Sequence, residues 1–182
     1  RFNINSVPFV KNAFKRKKWA FCADYIRLYA LYTEGGIYLD SDVFVLETFN
    51  GLLEYPFFTA VEYHPNIVEL NKSLIYLDSV GNRTEEGKKC FSYAVPGIGL
   101  QAAIIGSEAN HPFLKDCLIF YQNLNADFEM TNLMDIIAPA IQATFAEKYG
   151  FRYTNKLQKL DQGMVIFPSF YFPDYKLVIN KN

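Results

Sequence analysis

Residues 35–43 read GGIYLDSDV, and this stretch decides the fold. Ile37, Tyr38 and Leu39 have the character of a buried strand, and Val43, Phe44 and Val45 resume an apolar run. Between them stand two carboxylates, Asp40 and Asp42, separated only by Ser41. Gly35 and Gly36 sit where a helix ends, since glycine takes the backbone conformation of a helix C-terminus at little steric cost. The stretch therefore reads as helix stop, strand, then two acids at the strand's carboxyl end.

Upstream, residues 7–34 read as one helix, with Val7, Phe14, Ala20, Ala23, Ile26, Ala30 and Leu31 sharing an apolar face. Asp24 and Arg27 lie three apart in "WAFCADYIRLYALY", close enough on a helix to pair. Downstream, "VFVLE" is expected to continue the strand, and Asn50-Gly51 marks a turn. "PFFTAVEY" reads as a strand, and residues 71–90 as a polar, exposed insertion or mobile loop. "GIGLQAAIIG" follows as a buried strand or strand pair. A helix follows, capped by Asn110 or His111 and opened by Pro112. Another helix is expected from Asn132 to Tyr149, closed by Gly150. "MVIFP" and "KLVIN" read as late strands around "SFYFPDY". Alternating helices and strands make the class α/β. Ligands gather at the carboxyl ends of strands in such sheets, where Asp40 and Asp42 fall.

The chain has 182 residues, which suits a single domain spanning 1–182. Its net charge of −1 gives no broad basic field for nucleic acid. The one basic run, "KRKK" at Lys15 to Lys18, reads as a solvated helix face. Cys22, Cys90 and Cys117 lack metal-ligand spacing and are odd in number, which argues against a disulfide framework. No apolar run is long enough for a transmembrane helix. The opening "RFNINSVPFV" and closing "LVINKN" are expected to be cuts within a longer chain.

Two acids converging across a turn repel each other unless a cation lies between them. A hard divalent cation accepts one or two carboxylates and keeps positions for water and phosphate oxygens. The spacing thus suits a metal–diphosphate clamp, while acids in a solvated turn are the plainer alternative. Asp24 and Arg27 are either an ordinary intrahelical pair or a pair reaching sugar hydroxyls. His64 reads as part of a turn, with a place near the acceptor side as the alternative, and His111 reads as a helix cap. Tyr171 and Phe172 are the aromatic residues kept as candidates for lining the site.

"KKWAFCADYIRLYALYTEGGIYLDSDVFVLE" resembles the glycosyltransferase family with the DxD sugar-binding region, of the family 32 type. That type includes capsular polysaccharide and α-1,6-mannosyltransferase-like enzymes. More distantly the stretch is similar to the catalytic domain of the large clostridial glucosylating toxins. "GIGLQAAIIGSEANHPFLKDCL", "IIAPAIQATF" (with Ala138 where glycine is common) and "KLQKLDQGMVIFPSFYFPDY" extend the resemblance; residues 63–90 match least and are expected to be a variable insertion or loop.

The resemblance implies a GT-A-type nucleotide-diphospho-sugar transferase fold, a Rossmann-like mixed sheet flanked by helices. It implies a hexosyltransferase that uses a nucleotide-sugar donor (UDP- or GDP-sugar) and Mn²⁺ or Mg²⁺. The acceptor would be a glycan or lipid-linked saccharide, in polysaccharide or capsule biosynthesis, with retention of configuration. By that analogy Asp40 and Asp42 hold the metal and Asp40 also touches the donor. Asp24 and Arg27 hold the transferred sugar, and Tyr38 lies beside the donor. The family pattern also carries a strand upstream of Arg1 and a His-containing segment downstream of Asn182. A bacterial cytoplasmic location is expected, with membrane association left open. The alternatives are a metal-dependent nucleotide-sugar hydrolase and a non-catalytic nucleotide-sugar-binding domain.

Overall fold

The computed structural model describes residues 2–90, 94–124 and 136–172. The expected strand "KLVIN" and the start of the helix expected at Asn132 lie outside these residues, as does the side chain of Cys90. Helix α1 spans Pro8–Lys15 and α2 spans Trp19–Glu34. The other helices are α3 (Pro65–Leu70), α4 (Glu85–Cys90), α5 (Pro112–Asn123) and α6 (Ala138–Ala146). The strands are β1 (Gly36–Leu39), β2 (Phe57–Tyr63), β3 (Ile98–Leu100), β4 (Ile104–Ser107), β5 (Gln158–Lys159) and β6 (Met164–Phe167).

They form one mixed six-stranded sheet in the order β1-β4-β2-β6-β5, with β3 also on β2. The β2–β6 pair is parallel, whereas β4 runs antiparallel to both β1 and β2. β1, β2 and β6 therefore point the same way, and their carboxyl ends share one edge. This mixed sheet flanked by helices is consistent with a GT-A-like glycosyltransferase domain.

Alternation along β2 and β6 divides the core. Phe57, Val61, Met164 and Ile166 face the large cluster with Tyr25, Leu28, Phe113 and Ile141. Phe58, Ala60, Val165 and Phe167 face a smaller cluster with Leu52. Such two-sided burial explains why these strands read as continuous apolar runs.

The helix expected over 7–34 is two helices. The Lys17 N–H donates to Phe14 O, the Lys18 N–H donates to Ala13 O, and Lys17 has φ 57°. These bonds form a Schellman closure, with lysine in the left-handed position usually taken by glycine. The break resets the helical phase, so of the expected apolar face only Val7 and Leu31 are buried. Phe14, Ala20 and Ala30 are exposed, and Ala23 and Ile26 are partly buried. The buried residues are Phe9, Val10 and Ala13 on α1, and Cys22, Asp24, Tyr25, Arg27, Leu28 and Leu31 on α2. Cys22 and Cys117 are buried free thiols.

"VFVLE" does not continue β1 either. Phe44 and Leu46 are exposed, because β1 pairs with β4 only as far as Leu39↔Ile104. The helix cap is His111, whose Nδ1 accepts the Phe113 N–H at 3.3 Å. The polar stretch 71–90 is pinned rather than loose. Arg83 is buried, its Nε lies 2.7 Å from Glu147 Oε1, and Tyr153 donates to the same oxygen.

Gly35 governs the reversal from α2 into β1. Its φ of 69° and ψ of −168° belong to a region essentially reserved for glycine. A Cβ there would meet the Ala109 nitrogen at 2.8 Å, whereas Gly36, with φ 102°, has open space around it. Gly35→Ala is expected to cost about 2–3 kcal/mol and Gly36→Ala less. Urea unfolding of the two variants checks this order; equal losses would contradict it.

Candidate functional site

The site begins with a discontinuity in one strand. β3 and β4 pair in turn with β2, at Val61↔Leu100 and then at Phe58↔Gly106; the Gln101 N–H still donates to Ala60 O, but Ala102 and Ala103 leave the ladder with β2. Thr59 Oγ1 lies 2.9 Å from Gln101 O and 2.8 Å from Ile104 O, which holds the excursion in place. Backbone bulges of this kind redirect groups near sites. Here the redirected groups are two carbonyls. Ala102 O accepts from Arg27 Nη1 at 2.6 Å, and Ala103 O accepts the Asp40 N–H at 2.9 Å.

Arg27 occupies the centre. Its Nη2 lies 3.1 Å from Asp24 Oδ1 and its Nη1 lies 3.5 Å from Asp40 Oδ1. Its Nε donates to Ala23 O, and its guanidinium stands 4.9 Å from the Tyr38 ring centroid. The Tyr38 hydroxyl donates to Asp40 Oδ1 at 2.6 Å. Burial, and then this bond to Asp40, push the Tyr38 phenol up to about 12, so it remains a donor at neutral pH.

The backbone N–H of Ala138, at the first position of α6, also favours the Asp24 carboxylate. Helix N-termini favour anions. Even so, desolvation outweighs Arg27 and this N–H and pushes the Asp24 carboxyl up to about 6.

These groups open onto a cleft of about 560 Å³ at the shared carboxyl edge of β1, β2 and β6. Asp24, Arg27 and Asp40 line it beside Gln101 and Pro139. Glu62 and His64, at the end of β2, also line it, with His64 Nε2 2.9 Å from Glu62 Oε1. Ser169, Phe170 and Phe172 contribute from the segment after β6.

Asp24, Arg27, Asp40 and Tyr38 are thus brought together. Tyr38 supports Arg27 and Asp40 without lining the cleft. Asp42 is exposed on the Asp40–Val43 turn, closed by the Val43 N–H to Asp40 O at 3.0 Å, and it does not line the cleft. Phe172 lines the cleft as expected, but Tyr171 stacks on Phe167 at 4.1 Å, and Phe170 takes the lining position. Glu62, His64 and Gln101 were not selected from the sequence. The signal that could have found Glu62 and His64 is the one that found Asp40, their place at a strand's carboxyl end.

Two carboxylates on one turn offer oxygen donors that suit a hard divalent cation. Among the described residues, Asp42 has no hydrogen bond or ion pair, and only Oδ1 of Asp40 is engaged. No group of three or more His, Cys, Asp or Glu forms a metal cluster among the described residues. A cation here would complete its shell with water and ligand oxygens.

Asp24→Asn tests the charge balance. A folded value above the ordinary 3.8 means the folded chain holds this proton more readily than the unfolded chain. The contribution to stability is full below about pH 4 and is lost as pH rises through about 6. Between those limits wild type should lose up to about 3 kcal/mol relative to Asp24→Asn, at about 1.4 kcal/mol per pH unit. Urea unfolding of both proteins from pH 4 to pH 8 measures this; a pH-independent difference would refute it.

Residues 1–58 match the profile of the glycosyltransferase sugar-binding region containing the DXD motif. The matched stretch covers α1, α2, β1 and the Asp40–Val43 turn, and supports a glycosyltransferase-like role. Neither a curated protein nor a solved structure gives a significant match to the chain.

Proposed function

We propose that the chain is the catalytic domain of a metal-dependent glycosyltransferase of the family 32 type, a hexosyltransferase that takes a UDP- or GDP-sugar. The observation that carries this is the Asp24–Arg27–Asp40 constellation, held on a bulge at the carboxyl edge of the sheet and open to a 560 Å³ cleft. That volume is in the range of small-ligand sites. The profile match over the same residues supports the reading.

In this reading Asp40 and Asp42 would hold Mn²⁺ or Mg²⁺, which when bound offsets charge on the leaving diphosphate. Arg27 and Asp24 would hold the sugar, one donating to its hydroxyls and the other accepting. Tyr38 would fix Asp40 by its hydrogen bond and Arg27 by its ring. The sugar C1–phosphate oxygen bond breaks with oxocarbenium character as the acceptor oxygen bonds to C1 on the same face. The departing phosphate oxygen takes the acceptor's proton, and configuration is retained. The acceptor would be a glycan or lipid-linked saccharide, as in capsule or other polysaccharide biosynthesis in a bacterial cytoplasm.

Titration calorimetry with a panel of UDP- and GDP-sugars, with and without Mn²⁺, tests the reading. One donor should bind in the presence of metal, and Asp42→Ala should weaken it by more than about tenfold. If no donor binds to the folded chain under either condition, the proposal fails. Turnover to free sugar that no acceptor saccharide diverts would instead identify a hydrolase.

A further inference from the structure

The net charge of −1 conceals a strong asymmetry. Residues 1–23 hold six Lys or Arg and no Asp or Glu, in a chain that carries 18 basic and 19 acidic residues overall. With +6 in this stretch, the remaining residues carry −7. Lys15, Arg16, Lys17 and Lys18 are all exposed on the closure between α1 and α2, and Lys11 is exposed one helical turn before Lys15. None of these five forms an ion pair among the described residues.

The apolar neighbours of this run are also exposed. Phe14 is 45% exposed and Trp19, the chain's only tryptophan, is 56% exposed. Their rings meet edge to face at 5.2 Å, so they form one aromatic pair flanking the four basic residues. A single exposed apolar residue is unremarkable. An exposed tryptophan–phenylalanine pair bracketing unpaired lysines combines the two terms that hold a protein at an anionic bilayer. Basic side chains are drawn to acidic headgroups, and tryptophan settles at the interface between headgroups and acyl chains. No helix among the described residues is long and apolar enough to cross a membrane, so the contact would be peripheral.

We infer that the α1–α2 closure, Phe14 to Trp19, is a docking surface for an anionic lipid bilayer. Charge complementarity carries this choice of partner, and the aromatic pair favours a bilayer over duplex nucleic acid, whose phosphates would engage the lysines alone. Trp19 opens the helix that also carries Asp24, only five residues on, or about 7.5 Å of axial rise. The inference does not depend on the transfer chemistry.

Trp19 is its own reporter. Emission of the whole chain is recorded with vesicles of phosphatidylcholine alone and with vesicles containing 30% phosphatidylglycerol; co-sedimentation is measured in parallel. Anionic vesicles should shift the emission to shorter wavelength and sediment the protein, neutral vesicles should do neither, and added salt should reverse binding. Lys15→Gln, Arg16→Gln, Lys17→Gln and Lys18→Gln together should reduce partitioning by at least about tenfold. The same four-charge loss at exposed Lys72, Lys89, Lys115 and Lys156 should leave most of it. Phe14→Ser, which keeps every charge, should also weaken binding. The inference is overturned if anionic vesicles leave emission and sedimentation unchanged, or if the distant four-charge variant loses as much binding as the local one. It is equally overturned if an oligonucleotide duplex shifts the emission and vesicles do not.

Discussion

Arg27 is the contact on which the site depends. Its guanidinium is buried, and all three of its nitrogens are used, on Ala23 O, Ala102 O, Asp24 and Asp40. It ties the middle of α2 to the end of β1 and to the bulge between β3 and β4. A buried charge is tolerable only when paired and hydrogen-bonded, and Arg27 meets both conditions. A lysine could not span the same partners, because its donors radiate from one point instead of along a planar fork.

The remaining architecture serves to aim groups at one edge. The parallel pairing of β2 with β6, and the shared antiparallel partner of β1 and β2, bring three carboxyl ends together. The bulge at 102–103 then turns two carbonyls toward Arg27 and Asp40 at a cost in ladder bonds that Thr59 partly offsets. Tyr38 completes the assembly. Its hydroxyl takes one oxygen of Asp40, and its ring supports Arg27.

Much of this was legible in the chain, and the failures share a cause. The Gly35-Gly36 stop, the strand after it and the acids at its end are local signals that stand where their residues indicate, although β1 lies at the sheet's edge and is half-buried where a buried strand was expected. The Asp24–Arg27 spacing was legible too, but not that both side chains face inward. Counting apolar residues assigns charged ones to solvent, and here the pair lies within the buried stripe of α2. The break at Lys17 was hidden because lysine carries the left-handed conformation in place of glycine. The strand expected at "VFVLE" failed because pairing is decided by a distant partner, and the contact along that edge ends with the Asp40 N–H on Ala103 O. Glu62, His64 and the Ala102 and Ala103 carbonyls reach the site only through the sheet's topology, which periodicity does not encode.

The charge count of the site indicates what it is built to meet. Around Arg27, Asp24 and Asp40 set two carboxylates against one guanidinium, and exposed Asp42 adds a third acid just outside the cleft. Asp24 records the shortfall, because Arg27 beside it and the Ala138 N–H do not offset its desolvation. A site serving stability alone would gain by a neutral residue there, since an incompletely compensated buried charge lowers stability. Retaining that charge makes sense where a ligand completes the balance, and binding energy realised on that ligand then offsets what the folded chain forgoes. In the proposed function, a divalent cation beside Asp40 and Asp42 would add positive charge, and sugar hydroxyls reaching Asp24 would add donors. Under the proposed function, the Asp24 carboxyl, whose desolvation is incompletely offset, is the group that the hydroxyls of a bound sugar would relieve.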